Sequence, residues 1–267
     1  MSIGNNVTCW RLRSSSAARS LPPNIRTVIS GHPHILITGS TRGIGAATLE
    51  QLKATGARIV GHGTRAGSED QIATDLSIAG AAEALWQEAL DRLEGRIDVL
   101  INNAGIYQPV SVGESIEVWN ACWRRTLQIN LQAAADLCRC AVSHFRAREG
   151  GGRIVNVASR AAHRGDSPEH WHYAASKAGL VAVTKTIARG FAAEGIYAFA
   201  VAPGFTMTGM AEEYLASRGG DKLLNDIPLH RVAEPAEVAN AISYLALHAP
   251  PSMTGAVIDI NGGSYVR

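Results

Sequence analysis

Tyr173 and Lys177 stand four residues apart in the run Tyr173-Ala174-Ala175-Ser176-Lys177. On a helix that spacing puts both side chains on one face, close enough to interact. A free phenol has a pKa of about 10 and is a poor base near neutrality. A neighbouring ammonium favours the phenolate and lowers that value. The pair therefore suits proton transfer to and from a carbonyl or an alcohol. Ser159 closes a strand-like run 14 residues earlier, where its hydroxyl can hydrogen-bond a substrate oxygen.

A second chemical feature is the loop Thr38-Gly39-Ser40-Thr41-Arg42-Gly43-Ile44-Gly45, set between an apolar run and a helical segment. Glycines let backbone N–H groups approach a pyrophosphate, and the following helix aims its positive end at the anion. The spacing is G-x-x-x-G-x-G rather than G-x-G-x-x-G, and no G-K-[ST] is present, which argues against a nucleotide triphosphatase. An acid at the end of the second strand would hold a ribose 2′-hydroxyl and favour NAD(H). The stretch Gly61-His62-Gly63-Thr64-Arg65 carries none. The guanidiniums of Arg42 and Arg65 suit a 2′-phosphate instead, so NADP(H) is expected, with NAD(H) as the alternative.

These groups need a scaffold. From His34 onward, strand-like runs at 35–38, 58–60, 72–74, 98–101, 153–158, 197–202 and 257–260 alternate with helix-like runs at 46–54, 79–93, 116–148 and 173–193. Repeated β-α alternation predicts an α/β fold, a single doubly wound Rossmann-type domain. Its sheet is seven-stranded and mostly parallel, with helices on both faces. Only nine residues, 62–70, join the second and third strands, too few for a full crossover helix. The helix there is expected to be missing or reduced to a turn.

Composition bounds the function. The chain has 267 residues, 46% hydrophobic and 18% charged, which is globular rather than disordered. The net charge is +2. Residues 1–34 hold four Arg and no acid, leaving 25 − 4 = 21 bases against 23 acids in the remainder. A slightly acidic body argues against nucleic acid as a partner, and no apolar run is long enough for a membrane span. The expected domains are 1–33, a flexible extension or an upstream start, and 34–267, the dinucleotide-binding domain. The Arg- and Ser-rich, acid-free tail also has the composition of a transit peptide. Cys9, Cys122, Cys138 and Cys140 show no C-x-x-C pair and are expected as reduced thiols in the cytoplasm. His163, His170 and His172 are not expected to hold a metal.

In chain order, the glycine loop, Asn102-Asn103-Ala104-Gly105, Asn130, Ser159, Tyr173-Ala174-Ala175-Ser176-Lys177 and Pro203-Gly204 resemble the short-chain dehydrogenase/reductase family over about residues 34–264. Ile227-Pro228-Leu229-His230-Arg231-Val232-Ala233-Glu234-Pro235 resembles a segment of its 3-oxoacyl-carrier-protein reductase-like branch. The resemblance implies an oxidoreductase moving a hydride between a nicotinamide cofactor and a ketone or secondary alcohol. It makes Tyr173 the general acid/base and gives Lys177 the nicotinamide ribose and the tyrosine pKa. Ser159 would orient the carbonyl, and Asn130 would hold a relay water. Cofactor contacts are implied for Gly39, Ser40, Thr41, Arg42, Ile44, Gly45, Thr64, Arg65, Asp75, Leu76, Asn103, Ala104, Gly105, Tyr173, Lys177, Pro203, Gly204, Thr206 and Thr208. The loop 206–231 would cover the substrate, and the helices at 116–148 and 173–193 would build a homotetramer or homodimer. Two departures stand out: the Ser159–Tyr173 interval is one residue longer than the commonest spacing, and His230 stands where the branch usually has Gly. The alternative function is a non-catalytic, dinucleotide-binding regulatory protein.

Overall fold

The computed structural model describes residues 32–65, 68–148, 150–208 and 224–267. The strands are β1 (His34–Ile37), β2 (Arg58–Gly63), β3 (Gln71–Ala73), β4 (Val99–Asn102), β5 (Gly152–Val157), β6 (Ile196–Pro203) and β7 (Val257–Ile260). The helices are α1 (Gly43–Lys53), α2 (Ala81–Arg92), α3 (Ile116–Leu127), α4 (Ala133–Arg146), a single turn α5 (Ala161–Arg164), α6 (Trp171–Phe191) and α7 (Pro235–Leu247).

All seven strands pair in parallel in the order β3-β2-β1-β4-β5-β6-β7. Because both faces of such a sheet must be covered, its strands read as continuous apolar runs rather than alternating ones. β1, β4 and β5 are buried along their whole length. Odd and even positions of one strand feed different cores. Leu36 and Leu100 pack with Leu85, Trp86, Leu137 and Phe145 on one face, while Ile35, Ile37 and Ile101 pack with Leu52, Val238 and Ile242 on the other.

Helix ends follow local chemistry. Ser115 caps α3 by accepting from the Val118 N–H at 3.3 Å. Glu234 and Glu237 form a capping box around Pro235, which starts α7. Two expectations change in detail. The helical run at 116–148 is two helices joined by a π turn over Gln128–Gln132, and that turn carries Asn130. A π turn leaves the apolar period almost unbroken, so the pattern reads as one helix. His32 and Pro33, assigned to the extension, are packed on the domain: His32 Nδ1 lies 2.8 Å from the Gly56 carbonyl, and Pro33 O accepts from Arg58 N at 2.9 Å. The β2–β3 connection has no helix among its described residues. The rest of the extension and flap residues 209–223, with Met210, Tyr214 and Leu215, lie outside the described residues.

Candidate active site

Strand order reverses between β1 and β4, and in open parallel sheets ligands bind outside the carboxyl ends of the strands at such a point. Thr38 joins the two strand ends there. Its N–H donates to Ile101 O at 2.9 Å, and its Oγ1 accepts from the N–H groups of Asn103 and Ala104, both at 3.0 Å. Gly39 takes a φ of +65°, which favours glycine, and turns the chain into the loop. A Cβ on Gly45 would overlap the Gly39 carbonyl oxygen, so the first turn of α1 lies directly against the loop. Arg42 is the N-cap of α1 and makes no side-chain cap bond. A first turn without a side-chain cap, at the crevice, fits a pyrophosphate.

Of the residues expected to meet a cofactor, Gly39, Gly45, Asn103 and Ala104 come together at this crevice, and Thr208 lies against Gly43. Asn103 Nδ2 donates to Thr38 O at 3.1 Å and Gly39 O at 2.8 Å, so this side chain braces the loop instead of facing outward. Leu76 is buried in the core. Asp75 is exposed; the Ser77 N–H, 2.9 Å from its Oδ1, holds the carboxyl below its ordinary value. Thr41, Arg42, Thr64 and Arg65 are exposed on the rim. Pro203 ends β6 and Gly204 follows it, with Gly204 N donating to Ile260 O at 2.9 Å. Thr206 and Thr208 follow, and Thr206 is buried.

Beyond the crevice, Ser159 follows β5; its Oγ accepts from the Ala161 N–H at 3.1 Å and acts on the ionisation of the Tyr173 phenol. Tyr173 and Lys177 lie on the first two turns of α6, as their spacing predicts. Lys177 is 4% exposed, and its Nζ donates to the Val157 carbonyl at 2.8 Å. Burial lowers this ammonium to about 8. The Tyr173 phenol departs from expectation. Burial raises it to about 12, the Ser159 hydroxyl opposes that rise, and the Asp166 charge adds to it. The Lys177 Nζ lies 5.9 Å from the phenol ring centroid and is bonded elsewhere, so it does not offset the burial.

Asn130 is fully buried and holds the Ile106 peptide from both sides. Its Oδ1 accepts from Ile106 N at 2.8 Å, and its Nδ2 donates to Ile106 O at 2.9 Å and to Ser176 Oγ at 3.2 Å. Gly105 sits beside this amide and the Lys177 Nζ, each 3.4 Å from where a Cβ would stand. The π turn thus sets Asn130 between the β4 loop and α6.

Several pocket residues were not singled out by motif. Tyr107 stacks on His170 (3.8 Å, 5°) and meets Tyr173 edge-on (4.7 Å, 85°), while its hydroxyl donates to Asp166 Oδ1 at 3.1 Å. His170 and Asp166 belong to the lengthened Ser159–Tyr173 interval. Arg160 is buried over the Phe205 ring at 4.8 Å, and Arg164 pairs with Asp226 at 3.1 Å. His230 adopts a φ of +54°, the left-handed conformation that its branch usually gives to Gly. Tyr107 leaves no sequence signal beyond following the Asn-Ala-Gly loop. Among the described residues, no group of three or more His, Cys, Asp or Glu side chains is arranged for a metal.

The parallel sheet and its glycine loop define a dinucleotide-binding α/β protein. Residues 39–265 match the family model described as enoyl-(acyl carrier protein) reductase. The chain is similar to the 3-oxoacyl-[acyl-carrier-protein] reductase of Synechocystis sp., 36% identical over 244 residues, covering 85% of this chain and 95% of that one. It is also similar to cis-4-hydroxycyclohexanecarboxylate dehydrogenase of Sinomonas cyclohexanicum, 35% identical, covering 85% and 94%. Its fold matches the ligand-free aldohexose dehydrogenase of Thermoplasma acidophilum, with a TM-score of 0.79 at 24% identity, covering 88% and 95%. The chain belongs to the short-chain dehydrogenase/reductase family, in its 3-oxoacyl-carrier-protein reductase-like branch, and is a nicotinamide-dinucleotide-dependent oxidoreductase.

Proposed function

We propose that this enzyme transfers a hydride between NADP(H) and a ketone or secondary alcohol, with Tyr173 as general acid and base. The observation that carries this reading is the placement of Ser159, Tyr173 and Lys177 together, Ser159 near enough to the phenol to act on its ionisation and Lys177 one turn further along α6. Bound nicotinamide would supply or accept the hydride. Ser159 orients the carbonyl oxygen, and Tyr173 donates its phenolic proton as negative charge develops there. A phenol raised by burial is protonated at neutral pH and ready to act as the acid. In the oxidative direction the same oxygen must give up its proton first. Lys177 supplies a cationic donor for the ribose hydroxyls, and Asn130 holds a relay water toward it.

The preference for NADP(H) rests on Arg42 and Arg65, both exposed on the crevice rim, and on the lack of an acid at the end of β2. A 2′-phosphate accepts charge-assisted bonds from such guanidiniums. We place the enzyme in the cytoplasm, on the reading of its cysteines as reduced thiols. We assign it a homo-oligomeric assembly through α3, α4 and α6, where Ile116, Val118 and Trp171 are exposed.

The test is a panel of ketones and secondary alcohols with purified protein, read by nicotinamide absorbance alongside cofactor affinities. Turnover with NADPH or NADP⁺ is expected. Equal affinity for NADH would overturn the cofactor preference. Cofactor binding without turnover across the panel would favour the regulatory reading.

A further inference from the structure

His62 occupies the dinucleotide crevice, yet no motif assigns it a task. It is the penultimate residue of β2, 3% exposed, wedged between the glycine loop and the end of β3. Its Nδ1 lies 3.2 Å from the Gly39 amide nitrogen, and its Nε2 lies 2.9 Å from the Thr74 carbonyl oxygen. A backbone amide only donates and a carbonyl only accepts. Nδ1 must therefore be bare and Nε2 must carry the proton, and one neutral tautomer satisfies both contacts. The backbone of His62 grips the next loop residue. Its N–H donates to Ser40 Oγ at 3.0 Å, and its carbonyl accepts from Ser40 N at 2.8 Å. One residue thus holds Gly39 through its ring and Ser40 through its main chain.

We propose that His62, as a neutral imidazole, is a positioning residue for the dinucleotide: it fixes the Gly39 N–H, and with it the turn that presents Thr41–Gly45 to the pyrophosphate, and protonation of its ring releases that turn. The inference rests on the reading of residues 38–45 as the cofactor loop. A proton on Nδ1 would face the Gly39 N–H donor to donor, and that contact would be lost. Nearby charge offers little compensation. The charged groups on the flanking segments are Arg42 in the loop, Arg65 after β2, Glu69 and Asp70 before β3, Asp75 after it, and Arg92 of α2, which donates to the Glu69 and Gln71 carbonyls, all exposed. Asp70 is paired with Lys53 and Asp75 is bonded to Ser77 N. Burial lowers the imidazole pKa and the Thr74 carbonyl partly offsets this, so the ring stays neutral at neutral pH.

The experiment compares wild type, His62→Asn and His62→Leu across about pH 5 to 8, the range in which an imidazole titrates. NADPH dissociation constants are measured by fluorescence, and the ring tautomer of the cofactor-free wild type by nitrogen NMR. Asn offers Oδ1 to the Gly39 N–H and cannot take up a proton there. The ring should be the Nε2–H tautomer at neutral pH. Wild-type affinity should fall in acid relative to His62→Asn, by up to about tenfold per pH unit below the titration point of the free protein. His62→Leu should bind weakly throughout. Superimposable wild-type and Asn profiles, or an Nδ1–H tautomer, overturn the proposal alone. A wild type that binds no dinucleotide while keeping the Nε2–H tautomer overturns the loop reading and the proposal with it.

Discussion

Lys177 donates to the Val157 carbonyl at 2.8 Å, so the ammonium is tied to the end of β5 rather than to Tyr173 one turn away. Tyr173 and Lys177 share a helix face, but the side chain that opposes the rise of the phenol is that of Ser159. The two residues respond to burial in opposite directions, the phenol toward about 12 and the ammonium toward about 8.

Tyr173→Phe should reduce turnover by about 10²- to 10⁴-fold, the range for loss of a positioned acid/base. Cofactor affinity should change far less than turnover. In the wild type, alcohol oxidation should rise with pH because its base is a phenol protonated at neutrality. Steady-state rates against pH for both proteins check this. A variant that keeps near-wild-type turnover would contradict the assigned role.

Lys177 leaves a signature in stability. Between about pH 8 and 10.5 the unfolded chain holds a proton that the folded chain has lost, so stability rises with pH across that window. Below it, the folded state bears the full cost of a buried ammonium, on the order of 3 kcal/mol. The Tm of Lys177→Met minus that of wild type should be most positive below pH 8 and shrink toward pH 10.5. Tyr173 contributes in the opposite sense between about pH 10 and 12, but in both proteins alike. Thermal melts across this range decide the matter.

Gly45→Ala should break the crevice. Its methyl group would overlap the Gly39 carbonyl oxygen and press on the Asn103 amide. Overpacking of this kind costs about 1–3 kcal/mol. The loop must move to relieve it, so dinucleotide affinity should fall together with the urea midpoint.

Arg65→Ala separates the two cofactors. A charge-assisted hydrogen bond contributes about 1.5–3 kcal/mol, so losing one should weaken NADPH binding by about 10- to 100-fold. NADH affinity should hold. Equal losses for both would place Arg65 away from the 2′-phosphate.

Much of this architecture is legible along the chain because its signals are local. The β-α alternation follows from apolar runs and glycines, and the placement of Tyr173 over Lys177 follows from helical periodicity alone. The short β2–β3 link was readable from loop length. What escaped depends on contacts between distant segments. His62 meets Thr74, Lys177 meets Val157, and Tyr107 meets His170 and Tyr173 only after the strand order is set. The π turn at Gln128–Gln132 escaped because its apolar pattern continues that of the helices on either side. The rise of the Tyr173 phenol needed knowledge of burial and of where the Lys177 ammonium is bonded, neither of which spacing encodes.

The abbreviated link between β2 and β3 also bears on how the sheet breathes. β3 is a three-residue edge strand that pairs with β2 alone, and no helix precedes it among the described residues of that link. Such a margin is the kind of unit that opens locally before the rest of a fold. When it opens, the Thr74 carbonyl withdraws from His62, and the imidazole loses the acceptor that orients it. The β2–β3 edge of the crevice would then exchange its amide hydrogens sooner than the central strands that carry Ser159 and face Tyr173, leaving a soft margin beside a rigid centre.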